Sequence, residues 1–267
     1  MKYAPSRARQ ASFRTLLILF SLVWLTFGFG IIDLASGFLT DGDPRGNQVL
    51  SAAYGVIAGV VLPLAFLAQL GAPGRSVASL QQVAVVALAF ALAGALALDP
   101  LAFISVAMLI AMLAVLLWLH PARPQLAVRW RPRDTIIAAL SALAMIPAVV
   151  YGLSMAANQR AALPPVDEAS RPQAGGWTGA AVLAIVIVLL ALLAAARTSG
   201  WRVPAWSAAA AAFVFGLVSV MNPEAPGSVG SVWGSLMIAW GLLVVAASEL
   251  VARRRILPPM TTPREPA

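Results

Sequence analysis

The chain has 267 residues, of which 61% are hydrophobic and only 10% charged, whereas a water-soluble domain carries about 25% charged residues, so too little polar surface is present to wrap a soluble globule. Cysteine is absent, which excludes disulfides, zinc–thiolate sites, iron–sulfur clusters and cysteine nucleophiles. The net charge of +8 does not point to nucleic acid, because the basic residues gather at the ends of apolar stretches and form no single patch.

Eight apolar stretches follow one another, at 14–36, 48–70, 78–98, 100–119, 134–157, 177–197, 204–221 and 230–251. Each holds about 18–24 residues, and about 20 suffice to cross a hydrocarbon core of about 30 Å. The first has a basic start, and Ala35-Ser36-Gly37 loosely resembles a cleavage site, but its apolar run is long for a signal peptide, so it is read as a retained span. The third and fourth are nearly continuous. Asp99-Pro100 divides them, with aspartate suited to an N-cap and proline to a first helical turn. Only the connections at 120–133 and 157–176 are long, and no separate soluble domain is expected. The proline-rich tail at 256–267 is expected to be disordered.

Charge tests this count. With the N-terminus in the cytoplasm, only Arg45, Arg160 and Arg171 of the 18 basic residues fall in outer segments, the asymmetry expected when basic residues are held inside during insertion. Of the ten acidic residues, Asp33, Asp41, Asp43, Asp99, Asp167, Glu168 and Glu224 fall outside. Trp118, Trp130, Trp177, Trp201, Trp206 and Trp233 fall at expected interfaces, with Trp24 and Trp240 in mid-helix. The reading is an all-α polytopic bundle of eight transmembrane helices with both termini cytoplasmic. The arginine and alanine bias, with Lys2 the only lysine, is that of a GC-rich bacterial genome, so the expected location is a bacterial cytoplasmic membrane.

An internal 4+4 tandem repeat is a weaker signal. Thr15 and Ser21 begin the first stretch as Thr135 and Ser141 begin the fifth, and Asp99-Pro100 corresponds to Asn222-Pro223. Pro63 and Pro147 do not correspond. Such repeats, related by an axis normal to the membrane, occur in transporters.

Chemistry is sparse. An ionisable side chain inside a bilayer costs several kcal/mol, roughly, and marks function, yet the middle of these stretches is nearly free of charge. Asp33 lies 19 residues after Arg14, about 28 Å along a helix; that places it at the outer boundary, paired to Arg45 or Arg160. Glu249 precedes Arg253 by one turn, the favoured order for a helical ion pair. His120 is the only histidine, with no partners for a triad and no second histidine for haem or a multi-histidine metal site. Asp41-Gly42-Asp43 and Asp167-Glu168 read as turn residues, not as paired catalytic carboxylates or cation ligands. No catalytic, cofactor or metal residue is assigned, and enzymatic activity is not expected. Gly55/Gly59 and Gly230/Gly234 form GxxxG steps, and Ala208–Ala212 gives the seventh stretch a small face; both suit close helix packing. Pro63 and Pro147 should kink the second and fifth helices. With Trp24, Tyr54, Tyr151 and Trp240 they form the candidate cavity lining.

From about Trp177 to Glu249 the chain resembles a group of uncharacterised multi-pass membrane proteins of actinobacterial type. The residues that carry this are Gly200-Trp201-Arg202-Val203-Pro204-Ala205-Trp206-Ser207, Gly230-Ser231-Val232-Trp233-Gly234 and Ala239-Trp240-Gly241. The resemblance implies no activity. The function expected is that of a small permease-like protein, or the membrane subunit of a transporter, for an apolar or neutral compound or a lipid. The alternative is a non-catalytic scaffold or accessory subunit. Partners beyond the lipid bilayer would be another membrane protein or a second copy of the chain, and not nucleic acid.

Overall fold

In the computed structural model, residues 7–38, 47–71, 73, 76–121, 133–162 and 176–254 are described, the last four by backbone alone. The carboxylates at Asp41, Asp43, Asp167 and Glu168, the basic residues Arg45 and Arg171, Trp130 and the tail at 256–267 lie outside them. Every element among the described residues is a helix. Eight helical spans among them are long and apolar enough to cross a membrane.

The first span is α1 (Arg7–Leu25) and α2 (Gly30–Ser36); the second is α3 (Gln48–Val56), a π-helical turn (Ile57–Val61) and α4 (Leu62–Gly71). The third to eighth are single helices: α5 (Val77–Ala97), α6 (Ala102–Leu119), α7 (Thr135–Ala161), α8 (Gly176–Ala195), α9 (Arg202–Met221) and α10 (Gly230–Arg254). The second, third, sixth and seventh spans are 61–83% buried, and the first, fourth, fifth and eighth 17–22%. Four central helices are therefore wrapped by four whose apolar faces, such as Leu143, Ile146 and Trp118, point outward.

Helix ends meet in two sets. In one, Arg9 donates to the Leu119 carbonyl at 3.2 Å, Ala78 N–H to Ser199 at 2.9 Å and Arg133 N–H to Ala195 at 2.9 Å. In the other, Asn222 donates to the Gly37 carbonyl at 3.2 Å, Tyr151 to Gly227 at 2.6 Å and Arg160 to Leu96. Local chemistry fixes the starts of the helices. Asp99 accepts from Leu101 N–H at 3.0 Å, after Leu98 has turned the chain at φ 56°. Asp134 caps α7 by accepting from Ile136 and Ile137, and the same carboxylate pairs with the buried Arg197. Glu249 pairs with Arg202 at 3.1 Å and accepts from Trp206 Nε1. The start of the seventh span thus supplies its partners, where the sequence pointed to Arg253, whose side chain lies outside the described residues.

Lipid offers no hydrophobic drive for helices to associate, so close van der Waals packing decides which faces meet. A Cβ at Gly55 would lie 2.2 Å from the Leu34 nitrogen, and one at Gly59 would lie 2.8 Å from the Gly30 oxygen. This GxxxG step is the seat for α2. At the other end of the chain the expectation shifts. Gly230 has φ +76°, and a Cβ there would meet nothing within 4 Å among the described residues, so it turns the chain into α10 and seats no neighbouring helix there. Gly234 instead faces Gly216, each Cβ position being 2.6–2.7 Å from the other's carbonyl oxygen, and Gly241 meets Ala209 in the same way at 2.7 Å.

Candidate functional site

The two interrupted spans meet each other. Thr26-Phe27-Gly28-Phe29 breaks the first span, and Phe29 adopts the left-handed conformation at φ 55°, ψ 15°. Gly30 then enters α2 against Ala58 and Gly59. In the second span Pro63 has no N–H to give to Gly59, and its ring would press on that carbonyl in a regular helix. The chain widens by one residue over Ile57–Val61, and Leu62 N–H bonds to Ile57. Single π turns of this kind recur at functional positions.

The second span runs 24 residues from Gln48 to Gly71, so Gly59 stands at its middle. A span centred on the bilayer thus puts the break of the first span at the midplane. Asp33 follows one turn later: its carbonyl carbon is 2.6 Å from the Cβ position of Gly55, four residues from the midpoint, or about 6 Å towards the Gln48 end. Asp33 is thus level with Gly55 of the second span, whereas a count along a regular helix set it at the outer boundary; the break between α1 and α2 shortens that path. Arg160, offered as its partner, donates to the Leu96 carbonyl, and Arg45 lies outside the described residues. Among the described residues no cation forms an ion pair with Asp33. Tyr54 lies within electrostatic reach of it and hydrogen-bonds the Ser105 side chain. Its ring meets Phe90 edge-on at 6.3 Å and rests on Gly179.

Below this point the core carries amides that ionisable residues alone would not reveal. Gln82 is fully buried and donates to the Val61 carbonyl of the π turn at 2.7 Å and to Ser207 at 2.9 Å. Gln69 is held to Ser79 at 2.7 Å, and Thr198 donates to Gln81 at 3.0 Å. Gln82 ties the second, third and seventh spans together at the irregular turn. The sequence signals were present as Gly28-Phe29-Gly30 and Gln81-Gln82, a glycine-flanked break and two amides inside an apolar run.

The six cavity residues are dispersed. Trp24 is buried beside the break, with an indole N–H that has no hydrogen-bond partner among the described residues. Tyr54 and Pro63 belong to the second span on either side of the π turn. Tyr151 packs edge-on to Phe215 at 6.1 Å and donates to Gly227, whereas Trp240 donates to the Leu140 carbonyl at 2.9 Å, eleven residues away along α7. Pro147 is exposed on a helix that runs without interruption, so its missing donor faces the lipid side and not a cavity. Trp24, Tyr54 and Pro63 therefore surround the break, and Pro147, Tyr151 and Trp240 do not.

Just beyond the fourth span His120 is buried against Phe13, edge-on at 5.1 Å. Burial pushes its imidazole below the ordinary value, and the Arg9 charge adds to this, opposed by the bond the imidazole donates to the Pro73 carbonyl. Among the described residues no group of His, Cys, Asp and Glu could hold a metal. No protein-family model matches the chain, and no match is found among curated proteins or solved structures.

Proposed function

We propose that the chain is a small permease-like protein of a bacterial cytoplasmic membrane, with both termini inside, that moves a largely apolar solute or a lipid. The observation that carries this is the meeting of two interrupted helices at mid-depth. Irregular backbone is tolerated there only where protein or a cavity covers it, and broken helices at the midplane are where transporters bind.

A parallel repeat of two four-span halves supports the reading. Burial runs low, high, high, low through the first four spans and again through the last four. Contacts across the halves join corresponding spans: Gln82 of the third bonds Ser207 of the seventh, and Tyr54 of the second packs on Gly179 of the sixth. Orientation rests on charge. Arg7, Arg9, Arg133, Arg197 and Arg202 lie on the face of the termini, and Arg160 on the other. The chain carries no nucleotide-binding loop, so pumping would need an energising partner.

Native mass spectrometry of the tagged protein, released gently from its own membranes, tests the reading. A retained small molecule or defined lipid, weakened by Tyr54→Ala, supports it. A stoichiometric protein partner with no ligand overturns it in favour of an accessory subunit.

A further inference from the structure

We propose that Asp33, Tyr54 and the break at Thr26–Phe29 form a membrane-embedded binding site for a bulky monovalent organic cation. The inference rests on the permease reading and narrows its solute to one that is mostly apolar but carries a single delocalised positive charge.

The argument begins with cost. A carboxylate on backbone level with Gly55, about 6 Å along the helix from the midpoint of the second span, is unfavourable inside a bilayer unless a cation or water compensates it. The neighbouring element could have removed that cost with an arginine, yet Arg160 is bonded to Leu96 and α3 brings Tyr54, a phenol already engaged with Ser105. Asp33 is half-exposed, and its flanks Phe27, Phe29, Ile31 and Ile32 are 82%, 57%, 55% and 63% exposed. The carboxylate is thus reached from an apolar side, past aromatic rings. The backbone around it cannot retreat, because Gly30, Gly55 and Gly59 lock α2 onto the second span with no room for a methyl group.

Those features discriminate between cations. Calcium and magnesium demand six or more oxygen ligands, and one carboxylate, one phenol and one hydroxyl are too few. An organic cation holds little water, so a single counter-charge and aromatic faces suffice, and desolvation strengthens the cation–π contact. One carboxylate balances one positive charge, which sets the valence.

Equilibrium binding of radiolabelled tetraphenylphosphonium to the full-length protein in mild detergent is the test. We expect saturable binding near one per chain, at least tenfold weaker in Asp33→Asn and partly restored in Asp33→Glu. On the unaltered protein, the same probe should protect Asp33 from modification by dicyclohexylcarbodiimide, read by peptide mass; this arm does not depend on a variant folding. Absence of saturable binding, or binding and protection that ignore Asp33, overturns the site. A retained neutral ligand without phosphonium binding removes the site and keeps the permease reading. Phosphonium that binds through Asp33 but is not moved in proteoliposomes keeps the site and removes permeation.

Discussion

At the residue scale, individual glycines do different work despite identical chemistry. A methyl group at Gly55 would sit 2.2 Å from backbone nitrogen, whereas at Gly71 it would meet nothing within 4 Å. Gly55→Ala should therefore lower stability by about 1–3 kcal/mol or more, the range for overpacking a core. Gly71→Ala should be neutral or stabilise by up to about 1 kcal/mol through helix propensity. Thermal unfolding of both variants in one detergent checks the contrast, and equal melting temperatures would mean that α2 does not sit on Gly55. His120 offers a second measurement. Its folded pKa is lowered by burial, so the unfolded chain binds the proton more readily. Stability should then fall as pH drops below the ordinary imidazole range near 6.5 and through the lower folded value. His120→Gln should flatten that part of the stability–pH curve, and a curve unchanged by the substitution would rule the imidazole out as its source.

At the element scale, Asp134 joins two tasks that the sequence shows separately. It caps α7 through Ile136 and Ile137, and it neutralises Arg197, whose guanidinium also lies 4.3 Å from the Trp201 ring. Asp134→Asn retains the capping oxygen but leaves a buried guanidinium without its counter-charge, which costs about 3–5 kcal/mol. Combining Asp134→Asn with Arg197→Met in one chain should recover much of that loss in the same unfolding assay. Elements were legible to the degree that their signal was compositional. Apolar length located all eight spans, because about 20 apolar residues in sequence have few other uses, although the first helix begins at Arg7, seven residues before its expected start. What escaped was interruption. Gly28-Phe29-Gly30 sits inside an apolar run without lowering its hydropathy, and the widening before Pro63 is one of several ways a helix can absorb a proline. The level of Asp33 beside Gly55 was lost for the same reason, since counting at a fixed rise per residue holds only for an unbroken helix. Pro147 shows the converse: the same residue type lies on an exposed face of α7, which is continuous from Thr135 to Ala161.

At the scale of the whole molecule, the absence of native cysteine makes orientation directly measurable. The two sets of helix ends place Ser199, between the sixth and seventh spans, with the termini, and Glu224, between the seventh and eighth, on the opposite face. Both are exposed. A membrane-impermeant maleimide added to intact cells should label Glu224→Cys and leave Ser199→Cys unmodified until the membrane is opened. The reverse pattern would place the termini outside and would contradict the charge argument at every connection together, since the spans alternate as a unit. Labelling of both from outside would mean that at least one span does not cross. The result also bears on the carboxylate near mid-depth. Asp33 lies on the Gln48 side of the break, the side that carries Glu224, so cytoplasmic termini set it nearer the outer leaflet. A cation held there would then enter from, or leave to, the outside, and phosphonium added to right-side-out vesicles should protect Asp33 before any has crossed.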